Sequence, residues 1–229
     1  GAELAPDKRT RLAEISKRLA ELQREFSENV MDATESFRLV IDDDNRLAGL
    51  PPDVIANAKK RTTDGRAEFT LDFPVFFAVQ SRGKDRSLRE AMYRAWSTRA
   101  SDQSPSPPQF DNSGRMEDIL SLRCEAAQLL GFDNPAERSL ATKMAASGAD
   151  VLAFLTDLAA RARPFAQAEY NQVRQFALAE DGIETLEPWD VSYYSERLRE
   201  SALGLDMQAL RSYFPVHRVT EGLFAILNR

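Results

Sequence analysis

A long apolar repeat near the N-terminus constrains the fold of this chain most. Between residues 12 and 30 apolar side chains recur at spacings of three and four, with no glycine or proline among them: Leu12, Ile15, Leu19, Leu22, Phe26 and Val30. Because an α-helix turns once in about 3.6 residues, this spacing places all of them on one face. We therefore predict one long amphipathic helix that starts near Pro6.

Two short segments after this helix favour β-structure. Residues 38–41 are rich in β-branched and long apolar side chains, and residues 68–73 alternate in character ahead of Pro74. We expect them to pair as a minor two-stranded ribbon. Between them, Pro51 and Pro52 predict a short helix that continues to about Lys60.

The remaining patterns are helical. One helix face is marked by Leu88, Ala91, Met92, Ala95 and Trp96, and the proline-containing residues 101–114 predict a loop after it. Asn112 or Ser113 is expected to cap a further helix that ends before Gly131. We expect one side of that helix to carry Met116, Ile119, Leu120, Ala127 and Leu130.

A long helical pattern then runs from Asp150 to Gly182, and Pro164 is expected to kink or split it. Residues 189–203, 206–214 and 216–229 predict three more helices. The predicted fold class is mainly α, a multi-helix array with a long N-terminal helix and at most a minor two-stranded β-ribbon. We place a division near residue 83, with residues 1–83 as one part and residues 84–229 as the other.

Charge and composition disfavour several classes of partner. The formal net charge is -6, and acidic and basic residues are interleaved, so neither nucleic acid nor a membrane is an expected partner. Cys124 is the single cysteine, which fits a reducing, cytoplasmic location. The apolar run at residues 73–79 is too short to span a bilayer. We expect this run to be a buried strand-to-helix junction in preference to an exposed partner-binding edge.

Side chains that carry chemistry are sparse. A catalytic zinc needs about three protein ligands, and the chain has one histidine, His217, which we interpret as an ordinary surface or packing residue. Serines lack the G-x-S-x-G context of a nucleophile. The run Asp42 to Asn45 lacks the spacing of a calcium loop and predicts a solvated turn. Cys124, among apolar helix residues, predicts a small buried side chain over a reactive thiol.

Six segments in order resemble one family. They are RLAEISKRLAELQREFSENVMDAT, LREAMYRAWSTRASDQ, ILSLRCEAAQLLGFDNPAERSLATKMA, FLTDLAARARP, PWDVSYY and YFPVHRVTEGLF. Together they resemble the oligopeptidase A / thimet oligopeptidase family of zinc metallopeptidases. The resemblance implies a complete enzyme that hydrolyses short peptides inside a helical channel, with zinc held by an H-E-x-x-H helix. That motif is absent from this sequence, so we expect no catalytic residue and no bound metal here, and an inactive chain.

Tyr193 and Tyr194 are the candidate substrate-channel residues. Their hydroxyls and rings suit an extended peptide, although packing alone also explains a helix that begins W-D-x-x-Y-Y. The sequence ends while its apolar periodicity still continues, which we interpret as truncation. Exposed apolar residues there, Phe214, Leu223, Phe224, Ile226 and Leu227, predict self-association through the C-terminal helices. The alternative function is a stand-alone helical protein-interaction module.

Overall fold

The computed structural model describes residues 3–204, 210 and 213–228, and in this part of the chain the fold is mainly helical. The helices are α1 (Pro6–Ser36), α2 (Pro52–Lys59), α3 (Phe73–Arg82), α4 (Arg86–Thr98), α5 (Ser113–Leu129), α6 (Pro135–Leu140), α7 (Gly148–Asp181), α8 (Pro188–Leu203) and α9 (Val216–Leu227). The strands are β1 (Leu39–Ile41) and β2 (Ala67–Phe69). The predicted fold class is confirmed, including the long first helix and the ribbon. The helix predicted at residues 206–214 lies largely outside the described residues.

The chain groups into two compact units. The first contains the segment up to Arg38, Thr70–Asp72 and Arg94–Tyr170, and the second contains Leu39–Phe69, Phe73–Tyr93 and the segment from Asn171 onward. The division near residue 83 stays a prediction. It is a single boundary along the sequence, whereas the two units are groups of separate segments in space. None of the described helices is long and apolar enough to cross a bilayer.

In the first unit, α1 packs against α5. The apolar repeat forms the α1 side of this core, where Ile15 and Leu22 are buried, and Ile119 and Ala127 are buried on α5. Asn112, expected as the α5 cap, makes no side-chain cap hydrogen bond. Its amide instead donates to the Phe26 carbonyl and its oxygen accepts from Asn29, so it joins the two helices. The cap oxygen comes from Asp111, whose Oδ1 accepts from the Ser113 N–H.

The second unit contains the ribbon. β1 and β2 pair antiparallel, with Leu39 opposite Phe69 and Ile41 opposite Ala67. Phe69 and Ile41 are buried, whereas Val40 points outward, as a period of two requires. Within this unit α3 packs against α8.

The expectation of a buried strand-to-helix junction at residues 73–79 is wrong. Residues 73–79 are helical from their first residue, and Phe73 and Phe77 are 60% and 55% exposed, because they lie one turn apart on the outward face of α3. Their rings stack on each other, with 5.9 Å between the ring centres. Met116 and Leu120 of α5 are also exposed, so the predicted apolar face is only partly buried. Of the two outcomes expected at Pro164, a split is excluded, because α7 continues to Asp181, and a kink stays a prediction.

Candidate functional site

The start of α8 brings together the polar and aromatic residues on which the site is built. Pro188 occupies the first helical turn, where its missing N–H costs nothing. Glu187 and Asp190 form a capping box, in which Asp190 Oδ2 accepts from the Glu187 N–H at 3.0 Å. Gly204, with φ +60°, ends the helix in the left-handed conformation. These signals fix the register of Trp189, Asp190, Tyr193 and Tyr194.

Asp190 is the centre of a buried ionic cluster. Its side chain is fully buried, and Arg89 beside it is 1% exposed. Arg89 Nη2 donates to Asp190 Oδ1 at 2.9 Å, and Arg86 Nη2 donates to Oδ2 at 2.6 Å. Burial opposes ionisation of Asp190, but the hydrogen bonds from Arg86 and Arg89 outweigh it, and the pKa of Asp190 lies below its ordinary value.

Backbone carbonyls satisfy the rest of Arg89. Its guanidinium donates to the carbonyl oxygens of Gly83 at 2.8 Å, Trp189 at 3.1 Å and Lys84 at 3.2 Å. The Gln80 amide donates to the carbonyl of Arg89 itself at 2.7 Å. Arg89 therefore fastens the start of α8 to the turn between α3 and α4, and every contact in the cluster has a structural role.

Tyr193 and Tyr194 lie next to this cluster and are 4% and 3% exposed. The Arg89 guanidinium lies 4.2 Å from the centre of the Tyr193 ring, which meets the Tyr194 ring edge-on at 5.0 Å. The Tyr194 hydroxyl donates to Asp181 Oδ2 at 2.9 Å. Burial, together with this hydrogen bond to a carboxylate, raises the pKa of Tyr194. Packing with Ala177 and Leu186 accounts for both rings.

A cleft of about 260 Å³ borders Tyr193 and has a polar lining of Gly49, Ser81, Arg82, Lys84, Tyr193, Glu196, Arg197 and Glu200. Arg82 is paired with Glu196 and Glu200, each at 3.1 Å. The Tyr193 hydroxyl accepts from Arg197 at 3.1 Å. Tyr193 therefore borders a small cleft of mixed charge, whereas Tyr194 is not part of the lining.

His217 and the acidic run Asp42 to Asn45 are the residues that were considered as metal ligands and predicted to have another role. His217 is exposed in the first turn of α9. Within the described ranges, no group of three or more His, Cys, Asp or Glu side chains is arranged to hold a metal ion. With a single histidine and no H-E-x-x-H segment, the residues of this chain do not fit a catalytic zinc. In the acidic run, Asp43 caps a short 3₁₀ helix, and Asp42 and Asp44 pair with Arg66 and Lys59, so the turn prediction holds.

Cys124 is half-buried on α5, and its sulfur accepts from the Gln128 amide at 3.7 Å. The expectation that Cys124 is buried is wrong, because the buried side of α5 is formed by Ile119, Ala126 and Ala127.

Sequence reasoning missed both arginine partners of Asp190. Arg86 and Arg89 lie 104 and 101 residues away along the chain, and no local pattern connects them. The one available signal was the acidic residue in the first turn of a helix, which predicts a local cap and no distant partner.

Comparison with known proteins places the chain in a family. The family model described as Peptidase family M3 matches residues 79–229. Oligopeptidase A of Salmonella typhimurium is 47% identical over the whole chain, and that of Escherichia coli is 46% identical. A probable cytosolic oligopeptidase A of Arabidopsis thaliana is 37% identical over 99% of the chain. The chain spans about a third of the length of these relatives: 34% of the two bacterial proteins and 33% of the plant protein. The match over residues 79–229 shows that this chain belongs to peptidase family M3.

Proposed function

We propose that this chain supplies the helical, channel-forming part of a zinc-dependent oligopeptidase that hydrolyses short peptides. The single observation that carries the proposal is the identity of 46–47% to two bacterial oligopeptidases A over the entire chain. In this proposal the zinc is held by residues outside this sequence, and the chain is inactive by itself.

The contribution of the described residues is positional. The buried Asp190 cluster holds α8 against α3 and α4, and in the other unit α1 packs against α5. Close packing of this kind suits the wall of a substrate channel, because the channel excludes molecules larger than short peptides only if its wall keeps its shape. No bond-breaking step is assigned to any residue of this chain.

The proposal is tested with a short internally quenched peptide. The chain is incubated with the peptide, with and without added zinc, and fluorescence is followed. We expect no increase over the peptide alone. Turnover that scales with chain concentration and disappears with a chelator would overturn the claim of inactivity. The gene sequence beyond codon 229 supplies the second test: an H-E-x-x-H segment is expected there, and a stop codon would contradict the oligopeptidase proposal.

Contact with peptide through Tyr193 or Tyr194 is part of the proposal, and Tyr193 is the better placed of the two. Tyr193 lines the polar cleft together with Arg197, from which its hydroxyl accepts, whereas Tyr194 is not part of the lining and its hydroxyl donates to Asp181. In the complete enzyme, Tyr193→Phe should raise the KM for peptides, while Tyr194→Phe should change stability and leave KM unaltered. Equal KM values for wild type and Tyr193→Phe would remove Tyr193 from the substrate contacts.

A second candidate function is a helical interaction module. The observation that favours it is the exposure of apolar residues along α7 and α9, for example Leu152 at 67%, Phe165 at 74%, Phe224 at 58% and Ile226 at 70%. Solvent-exposed apolar faces of this extent are typical of surfaces that bind another helix. The discriminating result is again the reading frame, because a frame that stops after codon 229 favours the module.

Self-association through α9 follows from the same exposure. In α9, Val216, Val219, Leu223 and Ile226 recur at spacings of three and four, and each is at least 52% exposed. We propose that α9 pairs with its counterpart in a second copy. Light scattering should show a dimer that the double variant Leu223→Gln/Ile226→Gln dissociates. The control His217→Gln/Arg218→Gln changes two polar positions on the same helix and should leave the dimer intact. A monomer at high concentration contradicts this proposal.

We also propose a cytoplasmic location. It is supported by the use of a single cysteine and by the plant relative whose name includes "probable cytosolic". Cell fractionation that places the native protein in another compartment would contradict it.

A further inference from the structure

A cationic cleft in the first unit is not used by the function proposed above. It has a volume of about 660 Å³ and lies among α1, α5, α6 and the turn that follows α6. Its lining is Leu19, Arg123, Pro135, Ala136, Arg138, Ser139, Thr142 and Lys143. The lining therefore contains three cations and no carboxylate, in a chain whose net charge is -6.

Two of the cations are unpaired through their side chains. The guanidinium groups of Arg123 and Arg138 make no hydrogen bond or ion pair with any residue that the structure describes, and the backbone N–H of Arg138 donates to the Asn134 carbonyl. Two carboxylates on the same helices are engaged elsewhere: Glu125 accepts from Arg11 at 2.7 Å, and Glu137 accepts from the Gly148 N–H at 3.0 Å. Among the described residues, the guanidinium groups of Arg123 and Arg138 thus have no counter-ion.

The chemistry of the lining matches an oxyanion. A guanidinium donates two parallel N–H hydrogen bonds to a pair of oxygens on one anion. A planar carboxylate and a tetrahedral phosphate both offer such a pair of oxygens. Hydroxyls of Ser139 and Thr142 add further donors, and Lys143, which donates to Ser139 at 2.7 Å, adds a third positive charge. Leu19, Pro135 and Ala136 form an apolar wall beside these groups.

We propose that this cleft binds a small organic anion, with a phosphate or carboxylate on the cations and an apolar body against Leu19, Pro135 and Ala136. The volume lies within the range of about 300–1,000 Å³ that small-molecule sites occupy. Phosphate esters and carboxylic acids share this recognition chemistry, and the probes below distinguish them.

The test is an NMR titration of the ¹⁵N-labelled chain at low ionic strength with three probes. Phenyl phosphate and phenylacetate each carry an anion on an apolar ring, and benzyl alcohol is the neutral counterpart. We expect saturable shifts of the amides of Arg123 and of residues 136–143 with at least one anionic probe, weakened by added salt, and none with benzyl alcohol. Tighter binding of phenyl phosphate identifies a phosphate ligand, and tighter binding of phenylacetate identifies a carboxylate.

Variants connect the binding to the named residues. Arg123→Gln/Arg138→Gln should weaken binding by about tenfold or more, because each lost guanidinium removes charge-assisted hydrogen bonds. Arg9→Gln/Arg163→Gln removes two exposed arginines from the same unit and should stay within about twofold of wild type. Lys143→Gln, which keeps both guanidiniums, should lie between them. Equal losses in the two double variants, shifts of the same size with benzyl alcohol, or shifts that do not saturate would overturn the proposal.

Discussion

Replacement of Asp190 by asparagine should destabilise the second unit strongly. The substitution keeps the shape of the side chain and removes its charge. Asp190 is fully buried and accepts from both Arg86 and Arg89. In the variant, Arg89 keeps a buried positive charge, since its side chain is 1% exposed and its remaining acceptors are neutral carbonyls.

The expected loss of stability follows from the different burial of the two arginines. Removal of one partner of a buried ion pair costs about 3–5 kcal/mol. The Arg86 side chain is 44% exposed, so its pairing is screened by water and contributes about 0–1 kcal/mol. The carbonyls around Arg89 still accept its other donors, which favours the lower end. We therefore expect the free energy of unfolding to fall by about 3 kcal/mol, a large part of the roughly 5–15 kcal/mol available to a domain.

Urea unfolding followed by circular dichroism measures this change. Asp157→Asn is the matched control, because Asp157 and Arg161 form a pair on α7 whose side chains are 59% and 78% exposed, and its loss should change stability by no more than about 0.5 kcal/mol. The double variant Arg89→Met/Asp190→Asn removes the unpaired charge and should recover part of the loss. A result for Asp190→Asn within about 1 kcal/mol of wild type would refute the assignment of Asp190 as the partner of a buried charge.

Three further outcomes are expected. Folding lowers the pKa of Asp190, so the ionised side chain stabilises the fold fully above about pH 4, and this stabilisation is lost as the pH falls through the folded-state pKa. The difference in unfolding free energy between wild type and Asp190→Asn, measured by urea unfolding, should therefore become smaller in acid. Gly49→Ala should lower the free energy of unfolding by about 2–3 kcal/mol in thermal denaturation, because φ is +85° and the new Cβ would overlap the Arg82 carbonyl. Gly65→Ala has a similar φ of +81° but lies in open space, so it should lower the free energy of unfolding by about 1 kcal/mol. Asn112→Ala should cost about 2 kcal/mol in urea unfolding, since it removes a buried side chain and its two hydrogen bonds to α1, with the Phe26 carbonyl and the Asn29 amide.

Much of the helical structure was predictable because its signals are local. The three-and-four spacing of α1, the paired prolines before α2 and the glycines after α7 and α8 act within a few residues of the helix they define. Among the described helices, α3 and α6 had no predicted counterpart, and the six residues of α6 are too few to show a period. The cap of α6, Asn134, accepts from two backbone N–H groups and is a signal that sequence inspection could have used.

Pro164 shows the limit of a local rule. Proline removes one hydrogen-bond donor from a helix, and the rule predicts an interruption. Alanines at positions 159, 160, 162, 166 and 168 surround it, and these favour the helical state more than other residues do. These alanines favour the helix on both sides of Pro164, and α7 is continuous through it.

The sequence by itself determined the helical class, the short ribbon, the ends of most helices and the lack of a metal-binding motif, because each depends on residue type and on spacings of a few residues. Only the tertiary structure decided that Asp190 meets Arg86 and Arg89, that Phe73 and Phe77 face outward, and that Tyr193 rather than Tyr194 borders a cleft. Such facts depend on which helix faces meet, and contacts between residues about a hundred positions apart leave no periodic trace in the chain.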